Sequence, residues 1–395
     1  MKLRCVPEDF HVDELAQPET GRGEFALYRL TKRSLGTPEA VTAIGRQWKL
    51  MREHVAFGGL KDRHAVTEQY LTVWRGPRKN LTQENIRLVY LGQTPRSFES
   101  ASIDANRFQV VLRDMTTDEA DKAKNAFAAA MLDGLPNYFD DQRFGSVGLS
   151  GDFVARPWCS GDFERTLWLA IAEENVHDRP RDKDEKSLLR QHWGNWDACV
   201  PGIKDEVRRA VVQHLAGRPT DFRTAVTRIP AESRRMFLSA FQSHLWNRIL
   251  AETLRASCPP STLIESEIGT ATVVFFRDVE PALRTALSEM ELPLPTAREK
   301  LEEGPQKELY ERIAAEYGLE VRTLRVKYPR DSFFSRGSRS AIYQPMNHAA
   351  EAAPDELHRE RQKLILKFDL PRGSYATILV KRLMLEVEPS PPQEE

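Results

Sequence analysis

Phe57-Gly58-Gly59-Leu60-Lys61-Asp62-Arg63-His64-Ala65-Val66-Thr67-Glu68-Gln69 places one carboxylate, Asp62, in a glycine-entered loop between two short β-like runs, His54 to Phe57 and Gln69 to Trp74. Loops held by strands are where catalytic groups collect. Lys61, Arg63 and His64 crowd that carboxylate, and cations beside an Asp favour its ionised form, the form that acts as a nucleophile. The same residues also fit a charged, solvated surface turn. A third reading takes Asp62 with His64 as the base of a hydrolase, but such chemistry usually needs a second carboxylate or a metal cluster, which nothing here supplies.

The chain around this loop has 395 residues, long for one core, and its length suggests two to three domains. At 41% hydrophobic and 29% charged it has the composition of a soluble globular protein. No run approaches the roughly 18 apolar residues that span a bilayer, and Met1-Lys2-Leu3-Arg4 leads straight into Pro7-Glu8-Asp9, so a cytoplasmic protein is expected. Cys5, Cys159, Cys199 and Cys258 lack any zinc or redox spacing and read as free thiols. A net charge of −1 argues against indiscriminate nucleic-acid binding but not against a local basic groove. Residues 1 to 115 carry 18 Lys and Arg against 14 Asp and Glu, whereas the last ten are acidic, so any RNA contact is expected to be asymmetric and salt-sensitive.

Strands and helices alternate before Asp62. Pro7 introduces a strand with Phe10 and Val12 on one face, Phe25 to Thr31 is a second strand, and Pro38 opens a helix with Val41, Ile44 and Trp48 on one side. The Lys32-Arg33 pair between them reads as a solvated turn or a phosphate contact. Asn106 to Arg113 alternates as a strand, and the capping box Thr116-x-x-Glu119 starts a helix that Gly134 and Pro136 stop. Pro136-Asn137-Tyr138-Phe139-Asp140-Asp141-Gln142-Arg143-Phe144-Gly145 is dense in rings and amides, which suits either packing or recognition of a splayed base. Asp178 to Lys186 reads as a solvated loop, with helical periodicity at Glu164 to Glu174 and Lys204 to Leu215. Ser233 to Leu254 is a clear helix, and Ala297 to Glu316 is expected to be helical. Arg325, Lys327, Arg330, Arg336 and Arg339, with Tyr328, Phe333 and Phe334 among them, form either an RNA-contact ribbon or a charged surface loop. Leu364 to Leu370 closes with a strand, and Ser374 N-caps a last helix.

Several of these segments together resemble the TruD family of tRNA pseudouridine synthases. The motifs are Pro7-Glu8-Asp9-Phe10-x-Val12-x-Glu14, Gly59-x-Lys61-Asp62 with Ala65-x-Thr67-x-Gln69, Asn106-x-Phe108, Asn137-Tyr138-Phe139 to Gly145, Gln242-Ser243 to Asn247, and Gly373-Ser374-Tyr375-Ala376-Thr377. They occur in the family's order, and the interval from 150 to 230 resembles its longer branch. The chain departs from the pattern at Arg4, where Lys is common, and at Ala105 and Asp140, where Gly is usual. The glycine-containing loop of the family's inserted domain is absent from Leu292-Pro293-Leu294-Pro295.

The resemblance implies an α+β fold: a pseudouridine-synthase catalytic domain with a mixed or antiparallel sheet, interrupted by an inserted α/β domain. On that pattern the catalytic domain takes residues 1–150 and 336–387 and the insert 151–335, with the helix at 233–254 a candidate to pack on the catalytic domain and a disordered tail at 388–395. It implies conversion of a tRNA uridine, uridine 13 of the D-arm in most members, to pseudouridine, with no metal, cofactor or obligatory protein partner. Asp62 would be the nucleophile, with Arg4 or Lys61 holding it ionised, and Phe10, Asn137, Phe139 and Tyr375 would meet the base. Apart from the resemblance, charge alone makes Arg63, His64, Arg143 and the set Arg325, Lys327, Arg330, Arg336 and Arg339 the residues expected to touch RNA. A non-catalytic RNA-binding relative, or a synthase acting on another RNA, fits the same motifs.

Overall fold

The computed structural model describes residues 1–387, so the disordered tail expected at 388–395 lies outside the described residues. The chain divides into two compact units, one formed by residues 1–135 with the segment from Ile342 onward, the other by Pro136–Ala341. The sequence reading set these boundaries at 150 and 335. The aromatic segment after Pro136 goes with the second unit because its polar groups are satisfied there: the Tyr138 hydroxyl donates to the Val274 carbonyl at 2.8 Å, and the Phe139 amide donates to Asn247 Oδ1 at 2.9 Å.

Period-two alternation builds the first unit into a ten-stranded sheet. Its main path runs Met346–Pro354, Gln362–Pro371, Ala105–Met115, Phe10–Leu15, Val66–Trp74, Phe25–Arg33, Ile86–Thr94, Leu81–Gln83. Along that path the pairings are antiparallel except one, between Phe10–Leu15 and Val66–Trp74, where His11 faces Val66. That parallel pairing brings the end of the Asp62 loop beside the start of the Phe10 strand. Apolar side chains of Phe10, Val12, Phe108, Val110, Leu366 and Phe368 form one core with Phe127 of the helix Thr117–Asp133 and Leu379 and Leu383 of the helix Ala376–Val387. The helix Thr37–Trp48 lays Val41 and Ile44 against Tyr28, Leu30, Leu71 and Val73 in a second cluster.

The second unit is mainly helical. Its longest element, Ala231–Ser257, buries residues on every side, Leu238, Phe241, Leu245, Trp246, Ile249 and Leu254 among them, as expected for the central helix of a domain. That helix, which the sequence left as a candidate to pack on the catalytic domain, groups with the second unit. The run at 178–186 is not a loop: Pro180–Gln191 is a helix, with Pro at its first position. Its charges are structural, because buried Glu185 accepts the backbone amides of Lys204 and Asp205 and pairs with Arg208 at 3.1 Å. Of the helical stretch expected at 297–316, Pro305–Glu316 forms, since Gly304 and Pro305 reset the chain immediately before it. Among the described residues no helix is long and apolar enough to cross a membrane.

Candidate active site

The Asp62 loop is clamped at its backbone. The amide of Lys61 donates to Thr37 Oγ1 at 3.0 Å, the Thr37 hydroxyl donates to Gln69 Oε1 at 2.8 Å, and Gln69 Nε2 donates to the Gly59 carbonyl at 3.1 Å. Thr37 and Gln69 are fully buried, so a helix start and a strand interior together fix the loop's path. A side chain at Gly58 would push Ile103 aside, because a Cβ there would lie 2.5 Å from Ile103 Cδ1.

Lys32 completes the clamp from below. Its ammonium donates to the carbonyls of Leu35 at 2.6 Å, Asp62 at 2.7 Å and Lys61 at 3.3 Å, and the residue is 1% exposed. Burial lowers its pKa to about 8, against the pull of the nearby Asp62 charge. The sequence reading of a solvated Lys32-Arg33 turn is corrected here. Consecutive strand residues point to opposite faces, so Lys32 turns inward while Arg33 turns out to pair with Glu8 at 2.6 Å.

Arg4 and Lys61, the two cations expected to hold Asp62, are placed differently. Arg4 Nη2 lies 3.2 Å from Asp62 Oδ2, and the same guanidinium sits 4.0 Å from the centroid of the Phe10 ring. Its backbone is left-handed, at φ 59°. The turn that carries it is held by Asp9, whose carboxylate accepts the Val6 amide at 3.1 Å and is bound by Arg113 at 2.8 Å. Lys61 instead reaches the buried Glu14, 3.0 Å away, and donates to Asn106 Oδ1. Glu14 also accepts the Tyr70 amide at 2.9 Å. Lys61 thus ties the loop to the sheet. Arg63 pairs with Glu39 at 3.1 Å, and His64 is exposed. The backbone carbonyl of Tyr375, at the start of the last helix, accepts from the Tyr343 hydroxyl at 3.1 Å.

In the second unit, Asn137 and Phe139 form a group of their own. Asn137 Nδ2 donates to the Ser340 carbonyl at 3.1 Å, while Arg339 donates to the Asn137 carbonyl at 2.7 Å and to its Oδ1 at 2.5 Å. The Phe139 ring has the Arg339 guanidinium 4.3 Å from its centroid, Arg143 at 5.3 Å, and Trp246 edge-on at 5.6 Å. Buried Asn247 brackets the Phe139 backbone, accepting its N–H and donating to its carbonyl at 2.8 Å. Arg339 therefore turns inward to this group, while Arg325, Lys327, Arg330 and Arg336 are exposed. Asp331, the acid among them, is bound by buried Arg234 at 2.7 and 2.8 Å, and Arg223 lies over the Tyr328 ring at 4.6 Å.

Sequence reasoning took Lys32 for part of a solvated turn or a phosphate contact and gave no site role to Thr37, Glu14, Asn106 or Asn247. Glu14, Asn106 and Asn247 lie inside the quoted motifs, but their task of tying loops to strands exists only once the chain is folded. The arrangement sets the Asp62 carboxylate on a loop fixed through its own backbone, in contact with the Arg4 guanidinium, which also covers the Phe10 ring. A carboxylate held in this way can serve as a nucleophile.

Comparison with known proteins shows the family. The profile of the family described as tRNA pseudouridine synthase D (TruD) matches residues 1–383, and the chain belongs to this family. It is 29% identical to the Methanococcus maripaludis protein named probable tRNA pseudouridine synthase D 1, over 97% of this chain and 99% of that one. It is 30% identical to a second such protein from Methanocaldococcus jannaschii, over 98% and 92% of the two chains. A solved Methanosarcina mazei TruD structure superposes with a TM-score of 0.72 at 24% identity, covering 97% of this chain and 93% of that one, and shares its fold. The protein is thus a pseudouridine synthase with a TruD-like α+β fold, isomerising uridine to pseudouridine.

Proposed function

We propose that the substrate is tRNA, that uridine 13 of the D-arm is the target, and that Asp62 is the nucleophile, working in the cytoplasm. Isomerisation breaks the bond between C1′ and N1, turns the freed uracil while it stays held, and forms a bond from C1′ to C5; the C5 proton leaves and N1 gains one. One ionised carboxylate suffices if the base has been drawn out of the RNA. The observation that carries this reading is the Arg4 guanidinium, which touches the Asp62 carboxylate and is itself seated on the buried Phe10 ring, so two of the motif residues fix the cation beside the carboxylate. Lys61 acts in this scheme as the loop's anchor through Glu14 and Asn106.

Phe10, Phe139 and Tyr375 are the aromatics that the family motifs place near the base; Phe10 and Phe139 are buried and carry the Arg4 and Arg339 guanidinium groups, so stacking, worth roughly 1–3 kcal/mol per base, falls to Tyr375. Asn137, its amide oriented by Arg339 and Ser340, reads the uracil edge. Arg63, His64, Arg143 and the exposed set Arg325, Lys327, Arg330 and Arg336 meet the phosphates, with Asp331 already neutralised by Arg234. The test is Asp62→Asn. Turnover on tRNA should vanish while the Kd for tRNA stays within about threefold of wild type; a variant that still turns over contradicts the assignment.

A further inference from the structure

Lys32 is a buried cation that the proposed chemistry does not use. The structure supplies it with no carboxylate: among the described residues its partners are the carbonyls of Leu35, Lys61 and Asp62. A charge taken out of water without a counter-ion is costly, and chains retain one where it performs a task. Two of its three acceptors belong to the catalytic loop, and the shorter of those two contacts is to the backbone of Asp62 itself. Its neighbours across the sheet, Thr67 and Ile86, carry no charge. The charged groups acting on it are Asp62 and Lys61 on the loop and Glu39 on the Thr37–Trp48 helix.

We propose that protonated Lys32 is the positioning residue that sets Asp62 for attack, with its three donors fixing the loop from beneath. The proposal rests on Asp62 being the nucleophile. A neutral amine has two N–H donors for three carbonyls, so deprotonation releases part of the clamp. The lowered value, about 8, brings that event into the working range. Activity then has an alkaline limb that belongs to the clamp rather than to a catalytic base, and RNA affinity does not share it.

The experiment measures single-turnover kcat and tRNA Kd from pH 6.5 to 9.5 for wild type, Lys32→Met, Lys32→Arg and Asp62→Ala. Uracil ionises in the alkaline range too, so the comparison between variants decides. Wild-type kcat is expected to fall about tenfold from pH 7 to pH 9 with Kd nearly constant. Lys32→Met is expected to be at least tenfold slower at pH 7, with Kd within about threefold and a change of less than twofold across the same pH range. Lys32→Arg, which keeps a permanent charge, is expected to recover part of the rate and to lack the limb. Should the variants fail to fold, wild-type protein labelled at lysine Cε and followed by NMR gives the same decision, because one lysine must titrate with the midpoint of the kcat limb. Lys32→Met at wild-type rate, a limb as deep as that of wild type in either variant, or a lysine midpoint more than one unit from the kinetic one overturns the proposal. Turnover by Asp62→Ala would instead remove the nucleophile reading on which it rests.

Discussion

Replacing Arg113 by Met tests how the N-terminal turn is anchored. The Arg113 side chain is 5% exposed and binds Asp9 at 2.8 Å and Asp355 at 2.7 Å, both essentially buried, with the exposed Glu356 at 2.9 Å. Methionine fills most of the volume and leaves two buried carboxylates without their cation, a change that costs about 3–5 kcal/mol. The lower end is expected, because Asp355 keeps the amides of Asp114 and Leu357 at 2.9 and 3.0 Å and Asp9 keeps that of Val6. Glu356, in water, adds little.

The pH dependence has a definite sign. Burial would raise the Asp355 carboxyl, but the Asp114 and Leu357 amides, with Arg113 and His358, hold it well below the usual range, and Arg113 and Lys363 do the same for Glu356. Stability from carboxyls lowered in this way is present above their ordinary value, near 4, and is lost as pH falls below it. The gap between wild type and Arg113→Met is therefore widest at neutral pH and narrows in acid. Urea unfolding followed by far-UV circular dichroism at pH 7 and pH 3.5 measures both quantities. A loss under about 1 kcal/mol at pH 7, or a gap that widens in acid, would refute the reasoning.

Three further outcomes follow from single contacts. Thr37→Val removes the acceptor of the Lys61 amide and the donor to Gln69, so kcat should drop about tenfold with tRNA Kd unchanged, and Thr37→Ser should restore it; an effect on Kd alone would contradict the clamp. His244, buried and near the Arg248 charge, has its pKa lowered to about 4, so acid protonates the unfolded chain first and stability falls by up to about 3 kcal/mol between pH 6.5 and 4; His244→Gln should lack that slope in thermal unfolding. Changing Arg325, Lys327 and Arg330 together to Ala should lower the slope of log Kd against log salt by roughly 2 to 3 and leave kcat at saturating tRNA intact; an unchanged slope would place the phosphates elsewhere.

What the sequence disclosed and what it hid have separate physical reasons. The Asp62 loop was legible because glycines, a carboxylate and flanking strands occur within one short stretch, and the strand at Phe10 and the helix capped by Thr116 announce themselves by period and cap. Lys32 was misread because a lysine beside an arginine gives no sign of which one the pleat turns inward. The helix at Pro180–Gln191 was misread because a dense charge run looks the same in a solvated loop and in a helix whose Glu185 caps a neighbouring turn. The inward turn of Arg339 onto Asn137 joins residues about two hundred positions apart, which no local pattern encodes.

The most direct test is pseudouridine mapping, by carbodiimide labelling and primer extension, on unmodified tRNA incubated with wild-type protein and with Asp62→Ala. The account predicts a new stop at uridine 13 with wild type and none with the variant. A stop that persists in Asp62→Ala would contradict the nucleophile, and a stop only at another uridine would contradict the target.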